Sequence, residues 1–309
     1  MAYPERQLEK IIKEYCAETG TKFTVGADGW MFTLEKNGKR TFVMGYKFGL
    51  NNTTSSQLCD DKSALSVVLD EIGFPCVVHH YIESPNAYSR SQRQIYDDLE
   101  KMLKTYGELV IKPNVGSGGK KVFRCKTETE LHDLVDNNLS PKQPLGVCKF
   151  EKVKNEYRVI CLNGNVKLVY RKQRPFVVGD GKNNLKSLIE LQLDAKVETD
   201  KDLPFESVPK KGETVCVSWK HNLGLGASAD TDVDENLKTQ LMKFALEVAR
   251  AIDICFASID IIELESGELK IMEVNSGIMM EKFSASSLEN YQKSKQIYGE
   301  ALSMLLENN

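Results

Sequence analysis

Apolar positions change period several times along the chain, and each change marks an element. Leu8, Ile11, Ile12 and Tyr15 recur at helical spacing before Gly20, which predicts a helix over 5–18. Segments 30–36 and 40–46 then read as strands around Asn37-Gly38, a pair that accepts the positive φ of a tight hairpin turn. Asp60 and Asp61 are candidate caps for a helix reaching Glu71, which Gly73 and Pro75 would end. Ile95, Leu99, Met102 and Leu103 share one face of a helix predicted over 88–106, and a strand is expected over 108–113. Thr127 and Glu130 have the spacing of a capping box for a helix reaching Val135. Strands follow at 147–150, 157–161 and 166–170, and Asn184 is positioned to cap a helix over 185–193. A polar loop is expected over 195–213 and a short strand over 215–219. Leu237, Leu241, Phe244, Ala245, Val248 and Ile252 form a stripe that reads as core, and a last helix is predicted over 288–306. No internal repeat is visible.

The stretch 258–275 places chemistry inside this pattern. Two β-rich runs flank Ser266-Gly267, and a turn centred there sets Asp260 directly across from Glu273, with Cβ atoms about 5 Å apart. Alternation puts Asn275 on the face of Glu273, among Ile, Val, Leu and Met neighbours. Ionised carboxylates are costly there unless something pairs with them, and a hard divalent cation would do so. The alternative is a surface hairpin whose acids are solvated.

Other stretches carry chemistry more locally. The strand ending in Lys112 and Pro113 leads into Asn114-Val115-Gly116-Ser117-Gly118-Gly119-Lys120-Lys121, whose glycines expose N–H groups able to cradle phosphate oxygens. It is not a Walker A loop, because Asn114 stands where that motif needs Gly and Lys121 where it needs Ser or Thr. A hairpin turn with solvated lysines is the other reading. Arg158, Arg171, Lys172 and Arg174 make an anion-binding candidate, the alternative being a solvated edge strand. The glycines of 221–228 suggest a loop close to a ligand; His221 within it reads as a polar loop residue rather than a base.

Composition narrows the class. The chain has 309 residues, enough for a large core and two or three domains. A net charge of -3 leaves no general nucleic-acid footprint. No apolar run is long enough to span a membrane, and the first residues lack the apolar core of a signal peptide, so a cytoplasmic location is expected. The eight cysteines are dispersed without a C-x-x-C pair and are read as free thiols.

Taken in order, these pieces resemble the ATP-grasp ligases, most nearly the branch of cyanophycin synthetase and bifunctional glutathione synthetase, with D-alanine–D-alanine ligases further away. The resemblance covers roughly 58–285 and rests on Tyr157-Arg158-Val159 with Asn163-Gly164, on 177–182, on Asn222-Leu223 with Gly226, and on Ile259-Asp260-Ile261 with Glu273-Val274-Asn275. It implies an α+β class and the ATP-grasp fold, two α+β subdomains sandwiching ATP, preceded by a small N-terminal domain. The expected divisions are 1–59, 60–150 with the glycine-rich flap, and 151–309 with the metal site. Lys62 and Lys112 would then approach the ATP phosphates under a flap of Gly116, Ser117, Gly118 and Gly119, with Asn222 also at the nucleotide. Lys149, Phe150, Glu151 and Glu156 would meet adenine and ribose. Arg158, Arg171 and Arg174 would face phosphate or substrate carboxylates, and Asp260, Glu273 and Asn275 would hold Mg²⁺ or Mn²⁺. Two departures stand out: Lys149-Phe150-Glu151 replaces the family's acidic pair, and Ser276-Gly277-Ile278-Met279 lacks the usual Pro-Gly turn and Arg.

The implied reaction activates a carboxylate as an acyl phosphate and joins it to an amine with release of ADP, the substrates being amino acids or peptides. Such chemistry needs positioning and charge neutralisation more than a protein nucleophile. An ATP-binding regulatory protein without ligase chemistry, or a kinase on a similar fold, are the alternatives. Neither nucleic acid nor membrane is expected as a partner, and a homo-oligomer stays open.

Overall fold

The computed structural model describes residues 5–83, 92–116, 118–119, 121–138 and 143–307. The start, at Tyr88, of the helix predicted over 88–106 and the flap residue Ser117 lie outside them.

Helix α1 (Gln7–Thr19) buries Leu8, Ile11, Ile12 and Tyr15 and stops at Gly20, whose φ of 68° suits a residue without Cβ. Strands β1 (Lys22–Gly26), β2 (Met31–Lys36), β3 (Lys39–Met44) and β4 (Lys47–Phe48) form an antiparallel sheet in that order. Asn37 and Gly38 both take positive φ in the β2–β3 turn, as their sequence predicts. Helix α2 (Thr53–Asp60) follows, capped by Asn52, and then α3 (Lys62–Glu71), capped by the Asp61 carboxylate accepting from the Ala64 N–H.

A second sheet is built from β5 (His80–Ile82), β6 (Leu109–Pro113), β7 (Phe123–Cys125) and β8 (Leu145–Lys149), in the order β5-β8-β6-β7. Helices α4 (Gln92–Tyr106) and α5 (Glu128–Asn138) cover one face, sharing a core of Ile95, Leu99, Leu103, Leu109, Ile111, Leu131 and Val147. The capping box at α5 is present, with Glu130 N–H to Thr127 Oγ1 and Thr127 N–H to Glu130 Oε2, both 3.2 Å.

The largest sheet contains β9 (Val153–Leu162), β10 (Asn165–Gln173), β13 (Ser228–Asp230), β14 (Phe256–Leu264) and β15 (Leu269–Asn275), ordered β13-β10-β9-β14-β15. A ribbon of β11 (Phe176–Val178) and β12 (Thr214–Cys216), with α6 (Leu185–Gln192), branches from it. Helix α7 (Glu235–Ala251) packs Leu241, Ala245 and Val248 against Val159, Ile259 and Ile261 on one face. The opposite face is shared. Phe256, Ile160, Leu162 and Tyr170 pack on the N-terminal sheet together with α8 (Glu281–Ser286) and α9 (Leu288–Glu307), whereas Ile262 and Leu264 pack on Val77, Val110 and Cys148 of the second sheet. All nine residues of β14 are buried. Asp260 therefore sits where the two apolar patches of that face meet. The last helix returns to α1, so both ends of the described chain brace the N-terminal sheet. None of the described helices is long and apolar enough to cross a membrane.

Candidate active site

The hairpin of β14 and β15 supplies the floor. Asp260 lies opposite Glu273, and Asn275 Nδ2 donates to Glu273 Oε1 at 3.2 Å, so these groups share a face. The register arises differently from the sequence expectation. The Leu264 N–H donates to the Glu268 carbonyl, which leaves Glu265, Ser266 and Gly267 as a three-residue loop; Met272 is then the extra residue of a bulge. The added loop residue and the bulge offset one another, and Met272 and Glu273 both line a small pocket beside Lys62 and His79.

Asp260 is paired twice over. Arg158 grips it through Nε–Oδ1 and Nη2–Oδ2, both 2.7 Å, and Lys172 Nζ reaches Oδ2 at 2.7 Å while also pairing with Glu156. Burial alone would raise the Asp260 carboxyl, but Arg158 and then Lys172 outweigh it and hold the group well below the usual carboxylate range. Burial and the Arg158 charge press Lys172 toward its neutral form; Asp260 and Glu156 prevail and keep it charged. The site is thus a compensated cluster on one face of β9, β10 and β14.

A bulge at Lys167 decides which β10 cation joins it. Leu162 pairs with Asn165, but beyond the bulge Arg158 faces Tyr170 and Glu156 faces Lys172. Without that extra residue Arg171 would oppose Glu156. Arg171 instead opposes Tyr157 and ion-pairs with Asp230 on the sheet's other face, so the structure does not bring it to Asp260. Lys172 takes the place that Arg171 was expected to hold.

From the start of α3 and from β6 come Lys62 and Lys112, only 9% and 7% exposed. Asp61 and Asn114 fix both: Asn114 Nδ2 donates to Asp61 Oδ1 at 2.8 Å, and Asn114 Oδ1 accepts from the Ser63 N–H and hydroxyl. This ties the start of α3 to the end of β6. Burial lowers the Lys62 pKa, opposed chiefly by Glu273, and its Nζ donates to the Gly116 carbonyl at 2.7 Å. Lys62 thus holds the first residue of the glycine loop. Further along, a Cβ on Gly119 would lie 2.5 Å from Asn222 Nδ2, so the loop closes directly onto Asn222.

A cleft of about 420 Å³ lies beside the cluster, lined by Phe150, Val153, Arg174, Asp200, Ser218 and Trp219 among others. Phe150 is held between Arg124, 3.7 Å from its ring centroid, and the edge of Trp219. Lys149 is exposed at the end of β8 and does not line the cleft, and Glu151 is occupied by Lys270 at 3.2 Å. Sequence reasoning missed Arg124 and Trp219, whose partners are remote in sequence. The only local signal for Trp219 was an apolar strand ending beside a glycine loop.

The stretch Ser276–Met280 is held by the N-terminal sheet: the Ile278 N–H donates to the Tyr46 carbonyl, and Gly277 packs on Tyr46 and Lys47. Glu281 accepts from the Gln7 and Leu8 N–H groups at the start of α1.

The donor set partly fits a divalent cation. Glu273 and the free carbonyl oxygen of Asn275 are available, whereas Asp260 fits once Arg158 or Lys172 gives up its oxygen. Among the described residues no group of three or more His, Cys, Asp and Glu could hold a metal. A metal here would therefore lean on the Asn275 amide and on oxygens brought by a ligand.

Comparisons with known proteins follow this geometry. A family described as the RimK-like ATP-grasp domain matches residues 213–296. A cyanophycin synthetase of Crocosphaera subtropica is 24% identical over 233 residues, 67% of this chain and 25% of that protein. A bifunctional glutathione synthetase from Pasteurella multocida superposes with TM-score 0.57 at 14% identity, covering 97% of this chain and 43% of the other. The D-Ala:D-Ser ligase VanG from Enterococcus faecalis gives 0.55 at 15%, over 83% and 64%. A D-alanine–D-alanine ligase from Bacillus anthracis gives 0.53 at 17%, over 82% and 68%. The chain spans a quarter of the cyanophycin synthetase and under half of the glutathione synthetase. Two α+β layers closing on a cleft, with a RimK-like segment running through β14 and β15, give this chain the ATP-grasp fold.

Proposed function

We propose that the protein is an ADP-forming ligase that activates a carboxylate with ATP and joins it to an amine, the substrates being amino acids or small peptides. One observation carries this reading. Lys62 from α3, Lys112 from β6, and Arg158 and Lys172 from the largest sheet converge with Asp260, Glu273 and Asn275 beside a glycine loop, a set suited to a polyphosphate and its cation.

The roles follow from position. Phe150, Trp219 and Arg174 offer apolar and stacking surface for a nucleobase in the cleft, and Glu156 lies between that cleft and the cations. Lys62 and Lys112 meet phosphate oxygens, with the Gly116 backbone beside Lys62. Arg158 and Lys172 exchange part of their contact with Asp260 for contact with the transferring phosphoryl group, which frees an Asp260 oxygen. Glu273, Asn275 and Asp260 would hold Mg²⁺, which would supply positive charge to offset that of the phosphate oxygens. A carboxylate oxygen attacks the γ-phosphorus and ADP leaves; an amine then attacks the acyl carbon, and inorganic phosphate departs with that oxygen.

The test is a matrix of amino acids and dipeptides with ATP and Mg²⁺, hydroxylamine replacing the second amine. Hydroxamate formed in step with ADP supports the reading. ATP binding with no acid-dependent ADP release across the matrix would point instead to a regulatory nucleotide site.

A further inference from the structure

Of the candidate cation ligands, Asp260 is already held by the protein's own charges. It is buried, Oδ1 accepts from Arg158 Nε, and Oδ2 accepts from both Arg158 Nη2 and Lys172 Nζ, each at 2.7 Å. Glu273, by contrast, accepts the neutral Asn275 amide at 3.2 Å. A divalent cation on Asp260 would sit beside two fixed positive charges, and like charges a few ångströms apart in a buried site repel strongly. One of them must move. Arg158 gives Asp260 a two-bonded fork, the firmer geometry. Lys172 gives a single bond, and the β9–β10 register sets it opposite Glu156, with which it also pairs. Lys172 can therefore leave Asp260 and keep an ionic partner, whereas Arg158 would give up both contacts with the carboxylate. The bulge at Lys167 thus places a movable ammonium over a carboxylate oxygen.

We infer that Lys172 caps Asp260 in the ligand-free protein, excluding a free divalent cation, and withdraws toward Glu156 when a polyphosphate takes its ammonium. This rests on the nucleotide reading above and adds an order to it: the cation enters with the nucleotide or after it, not before. Phosphate oxygens and Asp260 compete for one Nζ. A phosphate that draws Nζ away uncovers Oδ2 and brings negative charge of its own, and both effects favour the cation. By linkage, the cation strengthens nucleotide binding by the same factor. Until then the cap serves the fold, because a buried carboxylate stripped of its partners is costly.

The experiment titrates Mn²⁺ into the full chain without nucleotide and reads free Mn²⁺ by electron paramagnetic resonance, comparing the wild type with Lys172→Met, Lys172→Gln and Lys112→Met. Lys172→Met is expected to bind Mn²⁺ at least about tenfold more tightly than the wild type, the scale of one neighbouring charge removed from a partly screened site. Lys172→Gln keeps a donor for Asp260 without the charge, so it is expected to fall between the two, and it guards against a misfolded Met variant. Lys112→Met removes a charge that is not bonded to Asp260 and is expected to gain less than about threefold. Equal gains in Lys112→Met and Lys172→Met would overturn the cap, as would a wild type that binds Mn²⁺ as tightly as Lys172→Met. Calorimetric titration with ATP in EDTA then tests the trigger. The wild type is expected to bind, and Lys172→Met to bind about tenfold more weakly. Unchanged ATP affinity in Lys172→Met would overturn the inference and leave the nucleotide site standing. Failure of the wild type to bind ATP with or without Mg²⁺ would remove the nucleotide reading and this inference with it.

Discussion

Replacing Asp260 by Asn keeps its volume and removes its charge. Asp260 is 1% exposed and receives both Arg158 contacts and one from Lys172. In the variant Lys172 keeps Glu156, but Arg158 loses the carboxylate that both of its contacts reach. Removing one partner of a buried ion pair typically costs about 3–5 kcal/mol. The Glu156 contact places this case at the low end, about 3 kcal/mol at pH 7. The sign with pH follows from the depressed carboxyl: its contribution is complete above the unfolded pKa of about 4 and is lost as pH falls toward the lower folded value. Urea unfolding followed by tryptophan fluorescence is therefore expected to show a constant gap between wild type and Asp260→Asn from pH 8 to 5, narrowing below about 4. A gap under about 1 kcal/mol at pH 7, or one that widens on acidification, would refute the compensated-cluster argument.

The bulge at Lys167 brings Lys172 rather than Arg171 to Asp260, so under the proposed reaction Lys172→Met is expected to lower kcat about a hundredfold or more, against less than about threefold for Arg171→Met; equal losses in steady-state assays would place both on one face. Gly119 has φ of 69° and touches Asn222, so Gly119→Ala is expected to cost about 1 kcal/mol by thermal unfolding and to weaken nucleotide binding. Adding Asn222→Gly should recover part of that binding, and no recovery would count against contact between flap and loop. Burial raises the thiols of Cys16, Cys76 and Cys125 to about 11 and those of Cys59 and Cys161 to about 12, whereas Cys216 is exposed at the cleft. Alkylation mapped by mass spectrometry should label Cys216 first and slow with ATP present. Labelling at that position unaffected by ATP would move the nucleotide out of the cleft.

Local signals were the most legible. The Asn37-Gly38 turn, the Asp61 cap and the Thr127–Glu130 box depend on neighbours in sequence and formed as their residues imply. Strand β1 was not foreseen, because its burial shows no clean alternation. Helix α2 begins Thr-Thr-Ser-Ser and is held by bonds no local pattern reveals: Ser55 Oγ to the Ile252 carbonyl, and its neighbour Asn51 to Phe256. At the site, face assignments turned on single residues. Alternation is a parity argument, so one bulge reverses it. The Asp260–Glu273 pairing is as expected because a longer loop and the Met272 bulge cancel, whereas at β10 only Lys167 intrudes and the expected cation changes. Contacts between segments remote in sequence, such as Gly119 on Asn222 or Arg124 on Phe150, require the assembled fold.

The central claim is that a carboxylate is activated by phosphoryl transfer within this cluster. Its most direct test supplies ATP, Mg²⁺, an amine mixture and amino acids carrying ¹⁸O in their carboxylates, then examines the released phosphate by mass spectrometry. The account predicts one ¹⁸O per phosphate, carried over from the acid. Phosphate free of ¹⁸O, released at the same rate with or without the acids, would contradict it.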